Sequence, residues 1–170
     1  MLVKKGKNRF VLVFPTAGIA IKFPIIHVFR AVRQFFSYGF HNPYPGDITK
    51  SLTEHLVKGI GDNWREFRFY IDHRHPFCQP TYFSLFGLFN LQRVTHPCRL
   101  STQDLWSEIH DVTAGEAFKD AHHFSNPQNF SHDKSEHLKL IDYGHPMTIE
   151  IVQKYGQELY ACHHSSCVKI

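Results

Sequence analysis

The most informative stretch of the chain is Leu138-Lys139-Leu140-Ile141-Asp142-Tyr143-Gly144, which joins an apolar run to an acidic turn. The apolar residues over Leu138–Asp142 predict a short buried strand. Gly144 and Pro146 follow and end it. Asp142 is therefore expected at the end of a rigid element. Taken alone, an Asp-Tyr-Gly sequence could equally be an ordinary turn.

Upstream of this strand, polar residues fall in a loop, and the first strands of the chain carry a lysine. Asn129 belongs to a loop rich in Pro, Asn and Ser and precedes Asp142 by 13 residues. Near the N-terminus, Phe10–Phe14 and Ile19–Phe23 are β-branched and aromatic and are separated by a Pro-Thr-Ala-Gly turn. They predict a hairpin with Lys22 near the end of its return strand.

Helical and strand signals then alternate. Ser51-Leu52-Thr53-Glu54 has the spacing of a capping box and predicts a short helix that ends at Gly59. Asn63-Trp64-Arg65-Glu66 repeats this spacing and predicts a second helix that carries Glu66. Thr81–Phe86 and Leu88–Val94 predict a second hairpin around Gly87. Helices are expected to dominate the remainder, including one around Ala114–Ala121. The order predicts an α+β fold in one compact domain, with a β-rich part over 1–94 and a helical part over 95–170.

Composition narrows the class of protein. The 170 residues include 42% hydrophobic and 15% aromatic residues, which predicts an ordered core. A formal charge of +4 is too small to predict a nucleic-acid-binding surface. The apolar run near the N-terminus contains Pro15, Lys22 and Pro24, so no membrane-spanning helix is expected. Four cysteines without framework spacing indicate reduced thiols and a cytoplasmic protein.

Taken together, these motifs resemble the protein-kinase superfamily. Ala20-Ile21-Lys22 is similar to its Val-Ala-Ile-Lys signature, Glu66 to the helical partner of that lysine, and Asp142-Tyr143-Gly144 to Asp-Phe-Gly. The segment His122-His123-Phe124-Ser125-Asn126-Pro127-Gln128-Asn129-Phe130 resembles the catalytic loop. Its first His, its Pro and its last Asn match in register.

The resemblance implies a two-lobed fold, with a β-rich N-lobe and a strongly truncated helical C-lobe, that binds ATP and Mg²⁺. Lys22 would contact the phosphates and be held by Glu66, while Asn129 and Asp142 would ligate the metal. Other expected nucleotide contacts are Gly6, in a reduced glycine loop Lys5-Gly6-Lys7-Asn8, and Val94 and Thr95 beside the adenine.

The departures from the family imply impaired or atypical phosphotransfer. Phe124 stands where the family has its catalytic aspartate, and a phenyl ring cannot orient the proton of an attacking hydroxyl. Asp120, His122 and His123 lie close in sequence and are candidates for a substitute base. Only 26 residues follow Gly144, which leaves little room for a helical C-lobe that docks a peptide.

Two alternatives remain open at this stage. One is a catalytically inactive pseudokinase scaffold that binds a protein partner, with the stretch Tyr38–Tyr44 as a candidate surface. The other is a metal-binding module, because Cys162-His163-His164-Ser165-Ser166-Cys167 offers donors that zinc accepts. The spacing of that tail is not one of the recurrent zinc patterns.

Overall fold

A computed structural model describes residues 1–6, 9–29, 32, 33, 36 and 56–166, with side chains up to residue 162 in the last range. Three features of the sequence therefore lie outside the described residues. They are the Tyr38–Tyr44 stretch, the Ser51–Glu54 capping signal that opened the short first helix, and most of the donors in the Cys162–Cys167 tail.

The first half of the chain forms a five-stranded antiparallel sheet. Its strands are β1 (Leu2–Lys5), β2 (Arg9–Phe14), β3 (Ile19–Pro24), β4 (Thr81–Ser84) and β5 (Asn90–Arg93), in the spatial order β1-β2-β3-β5-β4. Both predicted hairpins are confirmed, and the α+β class with them. Side chains alternate across the sheet, so that on β3 the buried positions include Ala20 and Lys22.

Two glycines permit the hairpin turns. Gly18 has a φ of 65° and ends a 3-10 turn over Pro15–Ala17 between β2 and β3. Gly87, with a φ of 80°, lies between β4 and β5. A Cβ at Gly87 would collide with the backbone oxygen of Ile60, so the turn needs glycine both for its backbone angle and for this close approach.

One helix crosses the sheet where the sequence predicts two. Helix α1 (Lys58–His73) runs without a break through Gly59 and Asn63, so the predicted helix end at Gly59 is wrong. The buried residues of α1 recur at helical spacing and face the sheet, among them Asn63, Glu66 and Phe69. This packing outweighs the low helix propensity of glycine. The helix ends at Arg74, which has a φ of 44°.

The second half combines helices with a small sheet. Its helices are α2 (Thr102–Val112), α3 (Ala121–Phe124) and α4 (Pro146–Ser166), and its strands are β6 (His96–Pro97), β7 (Phe130–His132) and β8 (Leu138–Leu140), in the order β6-β7-β8. The helix expected around Ala114–Ala121 is a 3-10 turn over Glu116–Asp120 that leads into α3. No helix in the described ranges combines the length and apolarity that crossing a bilayer requires.

The hydrophobic core lies in the second half and extends to α1. It joins Phe69 of α1 to fully buried aromatic and aliphatic side chains, chiefly Phe77, Leu105, Ile109, Phe124, Phe130, Leu138, Leu140, Tyr143, Val152 and Leu159. Because Leu138, Leu140 and Tyr143 belong to this core, the polar residues next to them have fixed positions.

The turn between β7 and β8 yields a first prediction. Burial opposes ionisation of Asp133, but hydrogen bonds from the backbone N–H groups of His137 and Ser135, together with Lys139, lower the pKa of its carboxyl. A carboxyl group whose pKa is lower in the folded than in the unfolded chain stabilises the fold when the pH is above its unfolded pKa of about 3.9. That stabilisation is lost as the pH falls through the folded pKa. We expect Asp133→Asn to cost about 1–2 kcal/mol at neutral pH.

Urea unfolding of wild type and Asp133→Asn between neutral and acidic pH measures this effect. The difference in free energy of unfolding should shrink towards zero as the pH drops below about 4. Asp111→Asn is the matched control, since the Asp111 side chain is 79% exposed. A difference that does not change with pH would contradict the role assigned to the ionised carboxylate.

Candidate functional site

A buried ion pair links the sheet to helix α1. The ammonium of Lys22 donates to Glu66 Oε1 at 2.9 Å, to Glu66 Oε2 at 3.0 Å and to the carbonyl oxygen of Ile141 at 2.8 Å. Glu66 is 0% exposed and Lys22 is 3% exposed. Burial lowers the pKa of Lys22, and the carboxylate of Glu66 opposes that shift. All three ammonium donors are thus engaged within the protein.

Arg9, the first residue of β2, joins this pair to Asp142. Its Nη1 lies 2.8 Å from Glu66 Oε2 and 3.0 Å from Asp142 Oδ1. Burial alone would lower the pKa of Arg9, but the carboxylates of Asp142 and Glu66 outweigh it and raise the pKa. Burial would raise the pKa of Asp142, but Arg9 and Lys22 lower it. Two cations and two carboxylates therefore form one charged network.

Neutral polar side chains surround Glu66. The amide nitrogens of Asn90 and Gln92, both on β5, lie 3.5 Å from Glu66 Oε1. Gln92 also donates to the carbonyl oxygen of Ile141 at 3.0 Å. Ile141 thus accepts from both Lys22 and Gln92, so the sheet fixes the backbone one residue before Asp142.

The Asp142-Tyr143-Gly144 segment is anchored on both sides. The N–H of Ile141 donates to the carbonyl oxygen of Asn129 at 2.7 Å, which joins the backbone one residue before Asp142 to that of Asn129. The hydroxyl of Tyr143, fully buried, contacts Thr81 at 2.8 Å and donates to the backbone oxygen of Gln79 at 2.8 Å. A Cβ at Gly144 would collide with the backbone of α1 at Asp62, so only glycine permits this approach.

A cavity of about 230 Å³ opens above this network. Its lining comes from the β1–β2 turn, from the start of α1 and from the second half of the chain, namely Gly6, Arg9, Lys58, Asp62, His122, His123, Asp142 and His145. Two permanent cations and three histidines face two carboxylates. The lining is therefore suited to an anionic ligand, with a carboxylate available for a cation bound alongside it.

Three histidines converge on a buried carboxylate at one side of the cavity. The Asp120 side chain is 0% exposed, and its Oδ1 lies 2.7 Å from His123 Nδ1 and 3.2 Å from His122 Nδ1. Its Oδ2 lies 3.6 Å from His145 Nδ1 and accepts a hydrogen bond from Thr148. Burial would lower the pKa of His123, but the hydrogen bond to Asp120 raises it.

The structure brings most of the predicted site residues together, at different depths. Gly6, Asp142, His122 and His123 line the cavity, and Asp120 lies behind the two histidines. Lys22 and Glu66 lie beneath it and are not part of its lining. Asn129 is not part of the lining either, and its side-chain amide donates to the backbone oxygen of the lining residue His123 at 3.0 Å.

Val94 and Thr95, predicted beside the adenine, lie apart from this lining. The N–H of Val94 donates to the carbonyl oxygen of Gly18 at 2.8 Å, in the turn between β2 and β3. The hydroxyl of Thr95 contacts the side chain of Gln79 at 3.2 Å. The β1–β2 turn that carries Gly6 is at the opposite end of β2, so the described cavity does not extend to these two residues.

Phe124 does not face the cavity. It is 0% exposed and packs in the core, with its ring centroid 6.4 Å from that of Phe130. Its neighbour His123 is the residue of this segment that reaches the lining. Phe124 is therefore a core position in this fold.

Four lining residues were not predicted from the sequence. Arg9 follows the Lys5-Gly6-Lys7-Asn8 turn directly, and that position was the signal that could have indicated it. His145 follows Gly144, so its distance from Asp142 was a second signal. Lys58 and Asp62 gave none, because they were assigned to a short helix ending at Gly59 and to the segment after it. Comparisons with protein-family models, with curated proteins and with solved structures find no match for this chain.

Proposed function

We propose that this chain is a kinase-like protein that binds ATP or a related nucleotide together with Mg²⁺, with impaired or atypical phosphotransfer. The observation that carries the proposal is the buried Lys22–Glu66 pair, whose ammonium also bonds the residue before Asp142. A lysine on a strand, a glutamate on the next helix and an aspartate at the cleft are the parts that hold nucleotide phosphates and their metal in kinases.

The charges of the cavity support a phosphate ligand. Arg9 and Lys58 supply permanent positive charge, and Gly6 allows the backbone of the β1–β2 turn to approach closely. Lys22 lies beneath the cavity and adds to the positive electrostatic potential there. Its ammonium would have to leave one of its present acceptors to contact a phosphate directly.

The donor set fits a hard cation. Asp142 offers a carboxylate whose side chain is 31% exposed at the cavity, and Asn129, joined to it through Ile141, offers an amide oxygen. Mg²⁺ is usually held by one or two protein oxygens, waters and the phosphates of the nucleotide. Asn129 and Asp142 are therefore the residues that would hold it, and the metal would neutralise the phosphate charge.

The same proposal includes a two-lobed arrangement and an atypical base. Residues from both halves of the chain line the cavity, which is what a cleft between a sheet-rich and a helical lobe requires. Phe124 offers no carboxylate, so His122 or His123, positioned by Asp120, would have to accept the proton of an attacking hydroxyl. Free thiols at Cys78 and Cys98 agree with the cytoplasmic location in this proposal.

One observation favours a second candidate, an inactive pseudokinase scaffold that binds a protein partner. Arg9 is ion-paired to Asp142, the carboxylate that would ligate the metal. The ammonium of Lys22 already donates its hydrogen bonds to acceptors within the protein. In this reading, the charged network holds the two halves of the chain together. A radiolabel transfer assay with general protein substrates separates the candidates, because only an active enzyme gives transfer above the level of an Asp142→Ala variant.

Thermal unfolding with ATP, with MgCl₂ and with both tests nucleotide binding. A ligand at 100 times its dissociation constant stabilises the fold by about 2.7 kcal/mol, a shift of several degrees for this size. We expect the shift only with both ligands, and we expect Asp142→Asn to abolish it. Asp72→Asn is the control, since Asp72 forms only a surface ion pair with Arg68 at 3.4 Å.

Two results would count against the proposal. One is the absence of any shift with nucleotide and metal together. The other is an equal shift in wild type and in Asp142→Asn, which would place the ligand elsewhere. A shift lost equally in Asp72→Asn would mean that the variants differ in general stability rather than in binding.

A further inference from the structure

We propose that Asp120, His122 and His123, completed by His145, form a site for a zinc-like divalent transition metal on one wall of the cavity. This inference does not rest on nucleotide binding, and a metal bound by His122 and His123 would exclude their use as a base. The site is distinct from the oxygen ligands of Asn129 and Asp142. It also differs from the Cys162–Cys167 tail that the sequence suggested for zinc.

The distances suit a tetrahedral ion. One donor atom from each of Asp120, His122 and His123 lies within 4.8 Å of the others. Metal bonds of ~2.0–2.1 Å place neighbouring tetrahedral donors roughly 3.3 Å apart. The Asp120 Oδ1 to His122 Nδ1 distance is 3.2 Å, and the Oδ1 to His123 Nδ1 distance of 2.7 Å needs to open by only about half an ångström.

His145 supplies an independent observation. Its Nδ1 is buried and makes no hydrogen bond, although it lies 3.6 Å from Asp120 Oδ2. A buried polar nitrogen without a partner costs free energy, and a metal ion held by the neighbouring carboxylate would supply the partner. The His145 ring stacks on that of His123 with centroids 5.4 Å apart. His145 is not among the three residues whose donor atoms already lie within 4.8 Å of one another, so it would complete the site by moving towards the ion.

The chemistry of the donors selects the ion. Three imidazoles and one carboxylate are preferred by zinc and similar first-row ions, whereas Mg²⁺ prefers oxygen ligands and octahedral geometry. Thr148 donates to Asp120 Oδ2 and therefore orients the carboxylate from outside the ligand set. Such outer contacts are a common feature of protein metal sites. His122, with a side chain 74% exposed, leaves the site open to solvent for entry of the ion.

Direct titration of the full chain with Zn²⁺ and Co²⁺ tests the proposal. The buffer contains excess Mg²⁺, and the tail donors Cys162, His163, His164 and Cys167 are replaced by Ser or Gln throughout. We expect one bound equivalent of Zn²⁺ and a visible Co²⁺ spectrum of tetrahedral type. His122→Gln and His145→Gln should each weaken binding by about 10–100-fold.

His96→Gln is the matched control, because His96 is exposed on β6 away from the cavity, and it should bind like the parent. Both tested histidines are partly or largely exposed, so the variants are expected to fold, and circular dichroism checks this. The proposal would be overturned by the absence of stoichiometric binding in the tail-substituted parent. Unchanged affinity in both His122→Gln and His145→Gln would overturn it equally.

Discussion

Replacing Glu66 by glutamine is expected to lower the free energy of unfolding by about 3–5 kcal/mol. Glu66 is 0% exposed and is the carboxylate that Lys22 and Arg9 share at 2.8–3.0 Å. Glutamine keeps the shape but removes the negative charge, so two buried cations would lose the carboxylate that they share. Its amide NH₂ group would also present donors to two groups that are themselves donors.

Urea denaturation of wild type and Glu66→Gln measures this loss. Glu158→Gln is the matched control, since Glu158 is exposed on α4 and the same substitution there should change stability by less than about 0.5 kcal/mol. A loss in Glu66→Gln no larger than in the control would mean that the network around Lys22 does not hold the sheet to α1.

Replacing Phe124 by aspartate, which would make this segment more similar to a kinase catalytic loop, is expected to unfold the protein rather than to give phosphotransfer. Phe124 is 0% exposed and packs against Phe130 in the core. Truncating a buried Phe costs about 3–5 kcal/mol. A buried, unpaired carboxylate adds a desolvation cost. The sum is comparable to the whole stability of a domain, which is about 5–15 kcal/mol.

Phe118→Asp provides the control for this substitution. Phe118 lies nearby in the 3-10 turn but is 62% exposed, so the same change should cost roughly 1 kcal/mol. Soluble expression and thermal unfolding compare the two variants. A stable Phe124→Asp protein with measurable phosphotransfer would show that this position faces the cleft and would overturn its assignment to the core.

Periodicity and turn chemistry were enough to predict two hairpins of the five-stranded sheet, but not β1 or the order of the strands. The hairpins around Gly18 and Gly87 and the strand before Asp142 were visible in the sequence because local residue types dictate them. The helix over Lys58–His73 was not predicted as one element. Its first turn contains Gly59 and Gly61, which disfavour helix locally, and only packing against the sheet explains why it forms.

The candidate site was predicted in part. The pairing of Lys22 with Glu66 was predicted only through the resemblance of these motifs to those of protein kinases, and the structure contains this pair. The role of Arg9 did not, because its two carboxylate partners come from 57 and 133 residues further along the chain. The orientation of Phe124 also depends on tertiary structure, since the sequence register put it in a loop while the fold turns its ring into the core.

The central claim is that the cavity beside Asp142 holds a nucleotide through a divalent metal, and calorimetric titration of ATP into the full chain tests it most directly. The account predicts saturable binding of one ATP per chain in the presence of Mg²⁺, strongly weakened by chelation of the metal and by Asp142→Asn. Absence of binding heat with Mg²⁺ present would contradict it. So would an affinity that is unchanged both without the metal and in Asp142→Asn.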